Sequence, residues 1–186
     1  MPSIGNSKIL IISTHGFEQS ELEVPRDELR AKGAEVHVAS LDGQKINGWS
    51  GPDWGSPADA DLRIADVKAD DYNALVIPGG QINPDLLRVE DDVIHLVRNF
   101  HDQGKVIAAV CHAPWVLIEA GVTRGRDMTS YHSIKTDVQN SGAHWQDVEV
   151  IADNGIVTSR NPNDLPAFVK KIVEEVEEGT HARKAA

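Results

Sequence analysis

Short β-rich runs recur along this chain, with helical patterns between them. KILIIS (8–13) is a continuous apolar run after its first residue. Such a run has no polar face to show to water, so it belongs in a strand covered on both sides. EVHVAS (35–40), ALVIPGG (74–80) and KVIAAV (105–110) are three further candidate strands. VEVIAD and GIVTSR form a late strand pair around the turn Asp153-Asn154-Gly155. The intervening segments carry helical spacing. Ser20 to Lys32 ends at Gly33, a helix stop, and Pro25 inside it predicts a kink or an early boundary. Pro84 to Gln103 places Leu86, Val89, Val93, Val97 and Phe100 on one stripe and ends at Gly104. A last helix opens near Asn163 or Asp164, with Pro166 early, and carries Leu165, Phe168, Val169, Ile172, Val173 and Val176 inward. Strands alternating with helices predict a doubly wound α/β sandwich around a mostly parallel sheet.

The length, 186 residues, fits one domain over 1–186. Its core spans about 8–178, and a polar tail, 179–186, is expected to fray. The formal charge of −11 disfavours a phosphate-binding face and an anionic membrane surface, so no nucleic-acid or membrane partner is expected. A single cysteine excludes an internal disulfide. With no signal-like N-terminus and no apolar run near ~20 residues, a cytoplasmic protein is the simplest expectation. The eight histidines are scattered, and neither a metal motif nor a nucleotide loop is present, so no metal and no cofactor are implied. Asn47 to Asp61, rich in Gly, Pro and Asp, reads as a surface excursion in which Trp49 and Trp54 clasp each other.

Open α/β sheets bind ligands beyond the carboxyl ends of their strands. Three unusual stretches lie at such ends: THGFEQSE after the first strand, PGGQINPD after the third, and Cys111-His112 after the fourth. Parallel strands bring Glu18, Gly79-Gly80 and Cys111 to one rim. A cysteine on a sharp strand-to-helix turn is lifted into the open, and a following helix start favours its thiolate. The Gly80 and His112 amides could then form an oxyanion hole. Glu18, at a strand end, is the carboxyl expected to face the sulfur, whereas Glu21 and Glu23 read as surface charges.

The pieces GFEQSEL, LVIPGGQINPDLLR, GKVIAAVCHAPWVLIEAGV, MTSYHSIKTD and VTSRNPNDLPAF, in this order over residues 16–168, resemble the ThiJ/PfpI superfamily. The resemblance is to its PfpI endopeptidase-like branch, within the flavodoxin-like, class I glutamine amidotransferase-like fold. It implies Cys111 as nucleophile, His112 beside it, Glu18 as the carboxylate bonded to the cysteine, and Gly80 in the oxyanion hole. It also implies an acidic residue, here Asp85, reaching the histidine from a neighbouring subunit, hence a homodimer or larger homo-oligomer. Asp85 is one methylene shorter than the branch's usual glutamate, and His132 stands where relatives often carry proline. The implied activity is a cofactor-free cysteine hydrolase or lyase of stress defence, acting on a small carbonyl or a glycated protein or peptide. The alternatives are an intracellular cysteine peptidase with the same core residues, and a redox-sensing or chaperone-like stress protein. An amidotransferase is disfavoured because the late histidines His132, His144 and His181 lack a glutamate two residues on.

Overall fold

A computed structural model of the protein describes residues 2–183. The chain opens with β1 (Lys8–Ile12), β2 (Phe17–Glu18), α1 (Gln19–Ala31), β3 (Glu35–Ser40), β4 (Ile46–Ser50), β5 (Asp53–Ala58) and β6 (Leu62–Arg63). It continues through β7 (Ala74–Ile77), α2 (Ile82–Leu87), α3 (Asp91–Asp102), β8 (Val106–Val110) and α4 (Pro114–Ala120). The last part holds β9 (Asp127–Met128), α5 (Lys135–Asn140), β10 (His144–Trp145), β11 (Val150–Asp153), β12 (Ile156–Ser159) and α6 (Leu165–Glu178). Seven strands form the central sheet in the order β11-β12-β8-β7-β1-β3-β6. Only the β11–β12 pair is antiparallel; the other pairings are parallel. Asn154 and Gly155 both take positive φ (51° and 75°), as a tight hairpin turn between β11 and β12 requires.

Side chains alternate between two covered faces, which is why the core strands are apolar throughout. Leu10, Ile12, Leu75, Ile77, Ile107 and Ala109 pack with Val93, Val97 and Phe100 of α3 and Val116 and Leu117 of α4. Ile9, Ile11, Val76, Ala108 and Val110 pack with Leu22 and Leu29 of α1 and Phe168, Val169 and Ile172 of α6. Cys111 falls in this second layer, on the α1 side. This fold is the doubly wound sandwich expected from the strand runs.

Three local expectations change. Pro25 neither ends nor interrupts α1, which runs from Gln19 to Ala31 with the ring buried. Burial of that ring in the α1 stripe offsets the one lost intrahelical bond. The single helix expected over 84–103 is two helices, α2 and α3. Glu90 is extended (φ −94°, ψ 116°), and Asp91 and Asp92 open α3, where carboxylates favour a helix start. Leu86 and Val89 therefore leave the stripe and stand exposed, while Val93, Val97 and Phe100 stay buried. The tail does not fray at 179. His181 N–H donates to the Gly104 carbonyl (2.8 Å), and the Arg183 guanidinium donates to the carbonyls of Asn154 (2.6 Å) and Lys105 (2.8 Å). Residues 184–186 lie outside the described residues. The 47–61 excursion is the β4–β5 hairpin, laid against β2, and Trp49 and Trp54 clasp edge-to-face at 5.3 Å.

Candidate active site

β8 delivers the chain to Cys111, and α4 leaves three residues later. Between them the backbone turns through Cys111 at φ 63°, one of two non-glycine residues with positive φ among the described residues. That conformation is costly for a side-chain-bearing residue and persists only where the surroundings fix it. Three backbone hydrogen bonds do so: Cys111 N–H to the Ser159 carbonyl (3.0 Å), Tyr131 N–H to the Cys111 carbonyl (2.8 Å), and Ala113 N–H to the Val110 carbonyl (3.0 Å). The sulfur lies at the sheet's carboxyl rim, with the residue 6% exposed.

The carboxyl group that meets the sulfur is Glu21, not Glu18. Glu21 is fully buried; its Oε2 accepts from the Gly79 amide (2.9 Å), its Oε1 has no hydrogen-bond partner, and the carboxyl lies beside the Cys111 side chain across Gly79. α1 starts at Gln19, so Glu21 shares the inward face with Leu22, Pro25 and Leu29. Glu18 lies just before the helix, half-buried, and its Oε1 accepts from the Ser20 hydroxyl (3.3 Å). The expectation of Glu18 followed from its place at a strand end. The overlooked signal was helical spacing: a glutamate one turn ahead of Pro25 and two ahead of Leu29 sits on the apolar stripe.

Glycine is required where the loop after β7 passes the sulfur. A Cβ on Gly79 would stand 2.5 Å from Glu21 Oε2, 2.6 Å from Cys111 Cβ and 2.7 Å from the Val110 carbonyl. Gly80 has φ 79°, and its amide, with that of His112, donates toward the Cys111 sulfur. Buried Asn83 holds this loop from below. Its Nδ2 donates to the Pro78 carbonyl (2.9 Å), and its Oδ1 accepts from the Thr14 amide (2.7 Å) and the Ser13 hydroxyl (3.2 Å).

Electrostatics couple Cys111 to Glu21. Burial, then the charge of Glu18, pushes the Glu21 carboxyl up to about 8. Burial, then the charge of Glu21, pushes the Cys111 thiol up as well, against the depression expected from the helix start alone; the Gly80 and His112 amides oppose that rise. Two groups that each resist ionising beside the other titrate as a unit. Of the two, the carboxyl gives up its proton first, and the Gly80 and His112 amides lower the cost of moving that charge onto sulfur when the thiol proton passes to Glu21.

His112 Nδ1 lies 3.1 Å from the Cys111 sulfur, and its Nε2 lies 3.1 Å from the Ser133 hydroxyl. The ring stacks on Tyr131 (4.8 Å between centroids) and meets the Trp115 edge at 5.2 Å. Burial, with the nearby His132, lowers His112 to about 4, so it is a neutral imidazole at physiological pH. Asp85 is half-exposed and pairs within its own chain with Arg88 (2.7 Å), which also lies over the Trp115 ring. Beside them Gln81, Ile82, Leu86 and Trp115 line an open depression of about 400 Å³. His132 is exposed and packs on Tyr131 at 4.4 Å. One group among the described residues has metal-ligand spacing, Glu175, Glu178 and His181, with donor atoms within 4.8 Å of one another. It lies by Gly104, at the opposite end of β8 from Cys111.

A strained cysteine at a strand-to-helix turn, with a carboxyl beside its sulfur and amides aimed at it, has the geometry of the nucleophile elbow seen in α/β cysteine enzymes. The family model described as "DJ-1/PfpI family" matches residues 7–175, and the chain belongs to that family. A deglycase of Thermococcus kodakarensis is 40% identical over 167 residues, covering 90% of this chain and 98% of that protein. The protein/nucleic acid deglycase 2 of Escherichia coli is 39% identical over 165 residues, covering 88% of this chain and 94% of that protein. The crystal structure of Drosophila melanogaster DJ-1beta superposes with a TM-score of 0.83 at 32% identity, covering 92% of this chain and 94% of that one. No helix of the described residues is long and apolar enough to cross a membrane.

Proposed function

We propose that this protein is a cysteine-dependent deglycase or glyoxalase-type enzyme acting on small reactive carbonyls or their adducts on proteins and peptides. One observation carries the reading: a buried acid, Glu21, held against a strained cysteine whose sulfur also faces two backbone amides. In this reading Cys111 is the nucleophile, Gly80 and His112 supply the oxyanion donors, and Glu21 moves the proton.

With methylglyoxal the steps balance within the site. The thiolate forms a bond to the aldehyde carbon, and the carbonyl π pair moves to oxygen, facing the Gly80 and His112 amides. That oxygen takes the proton held on Glu21, leaving a carboxylate. The hydrogen on the same carbon then leaves as a proton to the Glu21 carboxylate and returns to the neighbouring carbonyl carbon, while the hydroxyl proton passes from the first oxygen to the second, giving a thioester. Water cleaves it to lactate and restores the thiol. The aldehyde carbon is oxidised by two electrons and its neighbour reduced by two, so the reaction needs no external redox partner. For an adduct on an amine or thiol, that group departs and the same carbons undergo the same exchange.

Asp85 enters as a residue that could reach His112 of a neighbouring copy, which would make a homo-oligomer part of the site. The test of the main reading is a side-by-side assay of methylglyoxal consumption, glycated-thiol release and peptide cleavage by wild type and Cys111→Ser. Cys111-dependent lactate formation supports it. Cys111-dependent peptide cleavage without carbonyl turnover would support a peptidase, the reading suggested by a Bacillus subtilis relative named a putative cysteine protease.

A further inference from the structure

We propose that Ser133 is the positioning residue that sets the His112 tautomer and forms the outer end of a proton route from the Cys111 sulfur to solvent. The inference rests on Cys111 as the reactive group. His112 bridges two partners at equal distance, the sulfur at Nδ1 and the Ser133 hydroxyl at Nε2, each 3.1 Å away. His112 is 7% exposed and its ring is held between Tyr131 and Trp115, so it cannot turn without breaking those contacts. Ser133 is exposed. Its turn (His132–Ile134) follows Tyr131, whose amide bonds the Cys111 carbonyl, so its register against the sulfur is fixed.

A neutral imidazole donates at one nitrogen and accepts at the other. A hydroxyl can do either, as can the thiol and thiolate pair. When Ser133 donates to Nε2, the proton of His112 sits on Nδ1 and points at the thiolate, stabilising it. When Ser133 accepts from Nε2–H, Nδ1 accepts the thiol proton. Passing between the two moves one proton outward: the S–H proton goes to Nδ1, the Nε2 proton to the Ser133 oxygen, and the hydroxyl proton to water. A thiolate stays inside, and the reverse sequence returns a proton. The ring never carries two protons at rest, consistent with the lowering of His112. The other titratable and charged groups around this assembly are Glu21 across the sulfur, Glu18 beyond it, Tyr131 stacked on the ring, His132 on the outer face of Tyr131, and Arg88 and Asp137 on Trp115.

The test is the rate of Cys111 alkylation by iodoacetamide from pH 6 to 9.5 in wild type, Ser133→Thr, Ser133→Val and Ser133→Ala. Threonine keeps the hydroxyl; valine matches its bulk without it. Loss of the hydroxyl removes the donor that holds the proton on Nδ1. The Val and Ala profiles are expected to move to higher pH by about one unit, roughly tenfold slower at pH 7, and Thr to follow wild type. In carbonyl turnover, Val and Ala should lower kcat by about tenfold or more and leave KM near wild type, a split that a packing defect does not produce. Profiles for Val and Ala that coincide with wild type, or Thr shifting as far as Val, would overturn the proposal. Alkylation requires no substrate. A protein that turns over no carbonyl yet shows the hydroxyl-dependent shift refutes the proposed activity and leaves this inference standing.

Discussion

Glu21 should make the folded protein lose stability as pH rises, and Glu21→Gln should abolish that loss. Its carboxyl is fully buried and raised from an ordinary 4.5 to about 8, first by burial and then by Glu18. A raised folded-state value gives a definite sign: below about pH 4.5 both states hold the proton, and between there and about 8 only the unfolded chain releases it. The contribution is complete at low pH and is lost progressively as pH approaches 8. At about 1.4 kcal/mol per unit, the loss is about 3 kcal/mol at pH 7 and roughly 5 kcal/mol at pH 8. Glutamine keeps an acceptor for the Gly79 amide and a donor for the sulfur, and it cannot ionise. For a chain of this size each kcal/mol moves Tm by roughly 2–4 °C. The variant should melt close to wild type at pH 5 and about 10 °C or more above it at pH 8. Thermal melts in matched buffers from pH 5 to 8.5 measure this, a range that stops before the raised Cys111 thiol adds its own dependence. A constant Tm difference across that range would refute the buried-acid argument.

Other expectations follow from the same geometry. Cys111→Ser should abolish carbonyl turnover and leave Tm within a few degrees of wild type, because serine fits the same turn; a variant with normal turnover removes the nucleophile assignment. Gly79→Ala places a Cβ within 2.7 Å of three fixed groups, so it should cost about 1–3 kcal/mol in a denaturant titration and impair alkylation of Cys111. An unperturbed midpoint would show that the loop moves freely away from the sulfur. His112 should show no protonation step between pH 5.5 and 8 in an NMR titration, since burial holds it near 4. A step near 6.5 would mean that the ring is solvated. Asp85→Ala should slow turnover only in preparations shown by light scattering to be oligomeric; equal effects on a monomer would end its assignment to a neighbouring subunit.

Much of this was legible in the chain because apolar runs covered on both faces leave few folds open. The strand ends then fixed where Cys111 and Gly79-Gly80 meet. The carboxyl was misassigned because a position after a strand suggests a site, whereas three residues further on the helix turns Glu21 inward and Glu18 aside. Reading the periodicity of α1 through Pro25 to Leu29 would have recovered it. The break between α2 and α3 was hidden by a stripe that continues numerically through Val89, and only the extended Glu90 ends it. Ser133 carries no pattern of its own; its role depends on Tyr131 being anchored to the Cys111 carbonyl, a contact between distant segments. The pinning of the tail at His181 and Arg183 depends likewise on carbonyls left open at Gly104, Lys105 and Asn154.

The most direct test of the central claim compares Glu21→Gln with Glu18→Gln in lactate formation from methylglyoxal, with Cys111 alkylation measured on the same samples. Because Glu21 lies at the sulfur and Glu18 faces Ser20, Glu21→Gln should lower kcat by about 10²-fold or more while the cysteine stays reactive to alkylation. Glu18→Gln should keep most of the turnover, with a modest shift in its pH dependence as one charge near Glu21 is removed. Full turnover in Glu21→Gln, with the loss falling on Glu18→Gln, would contradict the assignment of the proton to the buried acid.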